Sequence, residues 1–139
     1  MKIFEYDVII IGTGAAGYNA ACRIKEDGRL SCAIVTEGVD CGTSRNTGSD
    51  KQTYYKLGLG GDSPDSVAQM AQDLFSCGSV DGDTALCEAA LSARCFMHLV
   101  ELGVPFPCNE YGEYAGYKTD HDPRTRATSC GPLTSKYMT

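Results

Sequence analysis

A glycine-rich turn directly after an apolar run limits what the first part of this chain can fold into. The run Val8–Ile11 ends at Gly12, and Gly12, Gly14 and Gly17 have the spacing G-x-G-x-x-G. In such a motif the first glycine permits a tight turn, the second lets the backbone approach a diphosphate, and the third lets a helix pack closely on the strand. The stretch therefore predicts a strand, a phosphate-binding turn and the start of a helix.

A second apolar run follows at the distance expected of a βαβ unit. We predict strands over residues 5–11 and 31–36 and a helix over residues 17–27 that ends at Gly28. A right-handed crossover makes the two strands parallel neighbours. Glu37 ends the second strand, twenty residues after Gly17, where this fold places a carboxylate that accepts hydrogen bonds from a ribose. The alternative is a structural turn with Glu37 as a solvated charge.

The predicted dinucleotide site combines the turn, the start of the helix and the loop after the second strand. Main-chain N–H groups at a helix N-terminus favour phosphate oxygens, and ligands of open α/β sheets bind beyond the carboxyl ends of the strands. For the loop over residues 38–48, an ordinary solvated loop is the alternative. The predicted cofactor-binding residues are Gly12, Thr13, Gly14, Ala15, Ala16, Gly17, Glu37, Gly38, Ser44, Arg45, Asn46, Thr47 and Gly48.

The rest of the chain predicts helices and one hairpin. The longest predicted helix, capped by Asp83 and reaching Leu102, carries apolar residues on several sides, so we expect it to be heavily buried. The remaining predicted elements are a short helix within 49–61, a helix from Pro64 to Ser76 capped by Ser63, a hairpin of 106–108 with 113–117, and a helix over 133–139.

Charge and composition exclude several classes of protein. The net charge of −6 and the pI near 4.8 argue against nucleic acid or an anionic membrane as a partner. The longest apolar run has four residues, and the N-terminus does not resemble an export signal, so we expect no transmembrane segment and a cytoplasmic location. The eight cysteines include no C-x-x-C pair, so we expect reduced thiols and no metal site.

Four stretches together resemble the N-terminal, FAD-binding part of the fumarate reductase / succinate dehydrogenase flavoprotein / L-aspartate oxidase family. They are DVIIIGTGAAGYNAA, CGTSRNTGS, LGVPF and DPRTRATSCGPLTSKYMT, and the resemblance covers nearly all 139 residues. It implies an α/β fold: an incomplete, Rossmann-like βαβ FAD-binding fold followed by helices and a small β-hairpin. Family members of membrane complexes attach the flavin through a histidine in the loop after the second strand. Here that loop carries Arg45 and no histidine, so the resemblance implies FAD held without a covalent bond.

In that family the flavin domain is completed by sequence far downstream, and a capping domain supplies substrate residues. We therefore expect residues 1–139 to be an N-terminal segment of an FAD-binding domain, inactive alone, whose parent enzyme acts on a small-molecule substrate. Arg124 or Arg126 is the candidate for a substrate-binding arginine; no catalytic residue is predicted. Two alternatives stay open: a Rossmann protein that binds NAD, and a non-catalytic fragment that assembles with other chains.

Overall fold

The βαβ unit expected from the glycine turn is present in the computed structural model, which describes residues 1–47, 52–60 and 64–139 and, within them, every side chain except that of Pro123. Strand β1 (Val8–Ile11), helix α1 (Ala15–Asp27) and strand β2 (Cys32–Val35) follow one another. The strands pair in parallel, with Val8 opposite Cys32 and Ile11 opposite Val35. The predicted order and pairing of these elements are confirmed.

Helix α1 begins at the glycine turn itself, two residues earlier than expected, with Gly14 as its N-cap. It ends where predicted, because Gly28 adopts the left-handed conformation with φ +68° that glycine tolerates best. Within the predicted loop after β2, a four-residue helix α2 (Thr43–Asn46) forms.

The chain divides into two units. The first contains residues 1–50 and 135–139, and the second contains residues 51–134. Within the first, the Ser135 hydroxyl lies 3.5 Å from the Thr47 carbonyl oxygen as a hydrogen-bond donor. The second unit contains a three-stranded antiparallel sheet in the order β3–β5–β4 and a pair of packed helices. Its elements are β3 (Tyr54–Tyr55), α3 (Val67–Ser76), α4 (Gly82–Glu101), β4 (Tyr117–Thr119) and β5 (Asp122–Thr128). Helix α5 (Thr134–Tyr137) follows, and all but its first residue belong to the first unit.

Aromatic rings form the core of the second unit. The Phe96 ring of α4 is fully buried, and its centroid lies 4.7 Å from that of Phe106 and 5.8 Å from that of Tyr54. Lys56 is also fully buried: its Nζ donates a hydrogen bond of 2.8 Å to the Tyr114 carbonyl oxygen and lies 5.2 Å from the centre of the Phe96 ring. Burial lowers the pKa of this lysine.

Several predicted elements of the second unit are wrong. In place of a helix within 49–61, the described part of that stretch holds strand β3. The turn at Asn109 forms, with the Gly112 N–H donating to the Asn109 carbonyl at 3.0 Å, but residues 106–108 and 113–116 form no strands. Proline at 105 and 107 removes N–H donors there. The hairpin instead consists of β4 and β5.

Both long helices have other N-caps than expected. The Ser66 hydroxyl, not Ser63, caps α3, accepting from the Gln69 N–H at 3.1 Å; Ser63 lies outside the described residues. Asp81, not Asp83, caps α4 through the Thr84 N–H at 3.0 Å. Helix α4 is also less buried than expected. One stripe of it is buried (Ala85, Ala89, Ser92 and Phe96), whereas Leu86, Leu91 and Met97 are exposed.

A buried arginine joins strand β5 to helix α3 and to the residues just before that helix. The Arg126 side chain on β5 is 2% exposed and pairs with Asp65 at 2.7 Å, with Asp73 at 2.8 Å and with Asp122 at 3.4 Å. Asp65 precedes α3 and Asp73 lies within it. The guanidinium therefore fixes β5 to α3 and to the residues that lead into it.

The carboxyl of Asp65 makes the stability of this unit depend on pH. Burial raises its pKa, but hydrogen bonds from Arg126, Gly58 and Ser66 outweigh that effect and lower the pKa from 3.8 to about 2. A carboxyl whose folded pKa is depressed stabilises the fold above its unfolded pKa, and that contribution disappears as the pH falls through the folded value. We expect a loss of about 2 kcal/mol between pH 4 and pH 2.

Urea unfolding followed by circular dichroism across this pH range measures the effect. The Asp65→Asn variant serves as the reference, since it cannot titrate at this position, and its stability should fall less steeply over the same range. Parallel pH profiles for the two proteins would show that Asp65 is not the responsible group.

Of the described residues, none lie in a helix long and apolar enough to cross a bilayer. All eight cysteines are free, and five of them are exposed: Cys41, Cys77, Cys87, Cys95 and Cys108.

Candidate functional site

A cavity of about 370 Å³ lies at the carboxyl ends of β1 and β2. It brings the glycine turn and Glu37 together, although they are more than twenty residues apart in the sequence. Parallel pairing explains this juxtaposition, because both strands end at the same edge of the sheet. The cavity is lined by Ile11, Gly12, Thr13, Gly14, Val35, Thr36, Glu37, Cys41, Gly42 and Thr43.

The glycines of the turn are required by its geometry. Gly12 adopts φ +97°, a conformation that side-chain-bearing residues rarely take. A Cβ atom on Gly17 would lie 2.5 Å from the Gly12 carbonyl oxygen. Helix α1 therefore packs directly on the turn, and its first residues follow the turn without an intervening loop.

The start of α1 offers hydrogen-bond donors. The Ala15 N–H is taken by the Ser44 hydroxyl oxygen at 3.2 Å. The N–H groups of Ala16 and Gly17 have no partner in the described part of the chain. The Ser44 hydroxyl accepts this bond and keeps its own O–H. It can therefore donate a hydrogen bond to a ligand in place of the Ala15 N–H.

Thr13 joins the turn to the end of β2. Its side chain is buried, and its hydroxyl donates to the Gly38 carbonyl at 3.1 Å and lies 3.2 Å from the hydroxyl of Thr36. The Thr36 hydroxyl also donates to the Gly38 carbonyl at 3.0 Å. Because the Thr13 side chain is occupied in this way, its contribution to a ligand is limited to its main chain.

Glu37 is the charged residue of the cavity. Its side chain is exposed, and the described residues provide neither a hydrogen-bond donor nor a cation for its carboxylate. A carboxylate that is solvated and unpaired accepts hydrogen bonds from vicinal hydroxyl groups without first breaking an internal contact. This property is what a ribose site needs.

The predicted residues at positions 45–47 mainly stabilise their own loop. The Arg45 guanidinium pairs with the Asp40 carboxylate at 2.8 Å. The Asn46 side-chain amide donates to the Asp40 carbonyl at 2.6 Å, and the Thr47 hydroxyl donates to the Thr43 carbonyl at 2.7 Å. None of the three lines the cavity. Gly48 lies outside the described residues.

Six cavity residues are not among those expected from the sequence: Ile11, Val35, Thr36, Cys41, Gly42 and Thr43. Thr36 stands at the strand end next to Glu37, a position that could have suggested it. Gly42 packs against the turn so closely that a Cβ atom would collide with the Thr13 carbonyl group. That contact arises from tertiary packing, and the sequence contains no local sign of it.

The arrangement is suited to binding a ligand. Its polar groups are main-chain amides, threonine hydroxyls, the Cys41 thiol and one carboxylate, and no cluster of metal-ligating side chains occurs in the described ranges. Glycines that let a ligand approach the backbone, free helix N–H groups and an unpaired acid match a diphosphate joined to a ribose. The residues present therefore fit the FAD that the sequence resemblance implies.

The expected substrate arginine is not found at Arg126. That side chain is buried and paired with aspartates, so it has no free face for a substrate. Arg124 is partly exposed, and its Nη1 donates to the Pro64 carbonyl at 2.6 Å.

Comparison with known proteins gives one family match and several similar structures. The family model described as FAD binding domain matches residues 7–137. Mycobacterium smegmatis Sdh1 in complex with UQ1 superposes with a TM-score of 0.83 at 20% identity, over 99% of this chain and 23% of that one. A variant of E. coli quinol fumarate reductase FrdA has a TM-score of 0.80 at 16% identity, over 99% and 23%. These likenesses show the fold. No curated protein matches the chain.

Proposed function

This chain belongs to the FAD binding domain family, and from that membership we propose that residues 1–139 supply the adenosine-diphosphate site of a flavin-dependent oxidoreductase of fumarate reductase / succinate dehydrogenase type. FAD is the cofactor that the family implies. The chain spans about 23% of the length of the structures it matches, so the oxidoreductase activity and the small-molecule substrate of the parent protein are part of the proposal.

The observation that carries the proposal is the cavity shared by the glycine turn and the exposed Glu37, whose carboxylate has no partner among the described residues. In it, the main chain of Gly12, Thr13 and Gly14 contacts the diphosphate, and the start of α1 beside it contributes the N–H groups of Ala16 and Gly17. The Glu37 carboxylate accepts hydrogen bonds from the ribose hydroxyls, with Gly38 beside it.

The loop over residues 42–47 has a positioning role in the proposal. Ser44 caps the Ala15 N–H and directs its own hydroxyl to the ligand, while the Arg45–Asp40 pair and the Asn46 amide hold the loop in shape. Thr47 belongs to this segment, and Gly48, which lies outside the described residues, stays a predicted flavin contact. When bound, FAD supplies hydride or electron transfer, and the protein provides its orientation.

We also propose that the 139 residues are inactive alone, because in the family that the sequence resembles a capping domain supplies the substrate residues. The parent protein is cytoplasmic and holds FAD without a covalent bond; the eight free cysteines suit a reducing compartment.

Replacing Glu37 tests the site directly. We expect Glu37→Gln to weaken FAD binding about tenfold, because a charge-assisted hydrogen bond contributes roughly 1.5–3 kcal/mol. FMN has no adenosine ribose, so its weak binding should be the same in both proteins. Flavin fluorescence anisotropy gives both affinities.

Glu5→Gln is the matched control, since Glu5 is exposed and makes the same change of charge. If Glu5→Gln weakens FAD binding as much as Glu37→Gln, the effect is one of net charge and the ribose assignment is wrong. If the chain binds NAD and ignores FAD, the proposed cofactor is wrong as well.

A further inference from the structure

A groove in the second unit lies between one edge of the sheet and helix α4. Its volume is about 510 Å³, and we call it the β3–α4 groove. Strand β3 is the edge of the sheet in the order β3–β5–β4. The groove is lined by Thr53, Tyr54 and Tyr55 on the strand side and by Thr84, Cys87, Glu88, Leu91, Ser92 and Cys95 on the helix side.

The backbone of β3 presents unused hydrogen-bonding groups to this side. The Lys56 N–H donates to the Arg126 carbonyl of β5 at 3.1 Å. Because main-chain groups alternate in direction along a strand, those of Tyr55 and Leu57 point away from β5. The Leu57 N–H is taken by the Ser92 hydroxyl of α4 at 3.0 Å. The N–H and C=O of Tyr55 have no partner among the residues that the structure describes.

The helix wall of the groove combines apolar residues with two hydroxyls and one charge. Its residues recur at helical spacing and so lie on one face of α4. Leu91 is 49% exposed, and Cys87 and Cys95 are exposed on the same face. Glu88 is the single charged residue of the lining. Helix α4 thus has a second apolar face that nothing in the described chain covers.

A free strand edge beside an apolar helix face is the arrangement that accepts an added strand. We propose that the β3–α4 groove binds an extended segment of another polypeptide, which pairs with the main chain of Tyr55. Every second side chain of that segment is apolar and contacts Leu91, Cys87 and Cys95. One lysine or arginine of the segment pairs with Glu88.

Charge favours a basic partner over a second copy of this chain. The chain has a net charge of −6, so two copies repel each other, whereas a basic segment is attracted to the surface and to Glu88 in particular. All residues of the groove lie in the second unit, so the inference stands independently of the FAD site.

The probe is a labelled eight-residue peptide that alternates valine with threonine and carries one central lysine. We expect saturable binding to the 139-residue chain by fluorescence anisotropy. The same peptide N-methylated on its edge-facing residues should bind at least about tenfold more weakly, because it has lost the N–H donors that pair with a strand edge. That comparison leaves the protein unchanged and does not depend on the folding of a variant.

Leu91→Arg should weaken binding of the unmodified peptide about tenfold or more. Leu86→Arg is the matched control, since Leu86 is equally exposed on α4 but does not line the groove; it should bind like the original protein. Glu88→Lys should reverse the preference between the lysine peptide and a glutamate counterpart.

Three results would overturn the inference. They are absence of peptide binding, binding that is indifferent to N-methylation, and equal losses in Leu91→Arg and Leu86→Arg. A concentration-dependent mass in sedimentation that Leu91→Arg abolishes would assign the groove to a second copy of this chain instead. FAD affinity should stay the same in both leucine variants, which separates this test from that of the cofactor site.

Discussion

Arg126→Leu is expected to destabilise the second unit by about 3–5 kcal/mol, which is enough to unfold a small unit of this kind. The substitution removes the cation that pairs with Asp65, Asp73 and Asp122. The Asp65 side chain is 3% exposed, so its charge is left buried and without a cation. Breaking such a network from one side is far more harmful than losing a surface ion pair.

The neighbouring Arg124→Leu is the reference for this prediction. Arg124 lies on the same strand, is partly exposed, and stands 3.6 Å from Asp73, so we expect its loss to cost about 1 kcal/mol or less. Urea unfolding monitored by circular dichroism compares the two. An equal decrease in the free energy of unfolding in both variants would mean that the burial of Arg126 adds nothing to its contribution to stability.

Gly42→Ala is expected to lower FAD affinity about a hundredfold. A Cβ atom at this position would collide with the carbonyl carbon and oxygen of Thr13. Both contacts are with backbone, which cannot move aside without distorting the turn that we propose grips the diphosphate. Overpacking of this kind costs roughly 1–3 kcal/mol, and the upper value corresponds to about a hundredfold in binding.

Gly82→Ala is the matched control for this change. It is the first residue of α4, and its Cβ would lie 4.0 Å from the Phe75 ring, an ordinary contact. We expect it to leave FAD binding unchanged and to stabilise the helix slightly. FAD titration by fluorescence anisotropy separates the cases. Normal FAD affinity in Gly42→Ala would show that the loop and the turn do not need to touch.

The βαβ unit could be predicted because its signals are local. An apolar strand, a turn that only glycine tolerates and a second apolar strand occur in sequence order, and each requirement is visible at the residue that meets it. Glu37 could be placed at the site because it directly follows a predicted strand, and parallel strands bring their carboxyl ends to one edge of the sheet. The expected start of α1 was two residues too late, because Gly14, and not a residue beside Gly17, precedes the first helical turn.

The sheet of the second unit could not be predicted because its signals are not local. Strand β5 contains DPRTRAT and reads as a polar loop, yet Arg126 faces inward to carboxylates that lie more than fifty residues earlier. Strand β3 has two residues, too few for a period to show. Lys56 is likewise fully buried, although lysine side chains are usually exposed. At both positions, tertiary pairing outweighs the polarity of the side chain.

The division of the chain has a consequence for the order in which it folds on the ribosome. Residues 135–139 belong with residues 1–50, so these two segments cannot come together until residues 51–134 have been synthesised. Residues 51–134 are contiguous and need neither of those segments to make their own contacts. The second unit can therefore fold before residues 135–139 join the segment that contains the glycine turn.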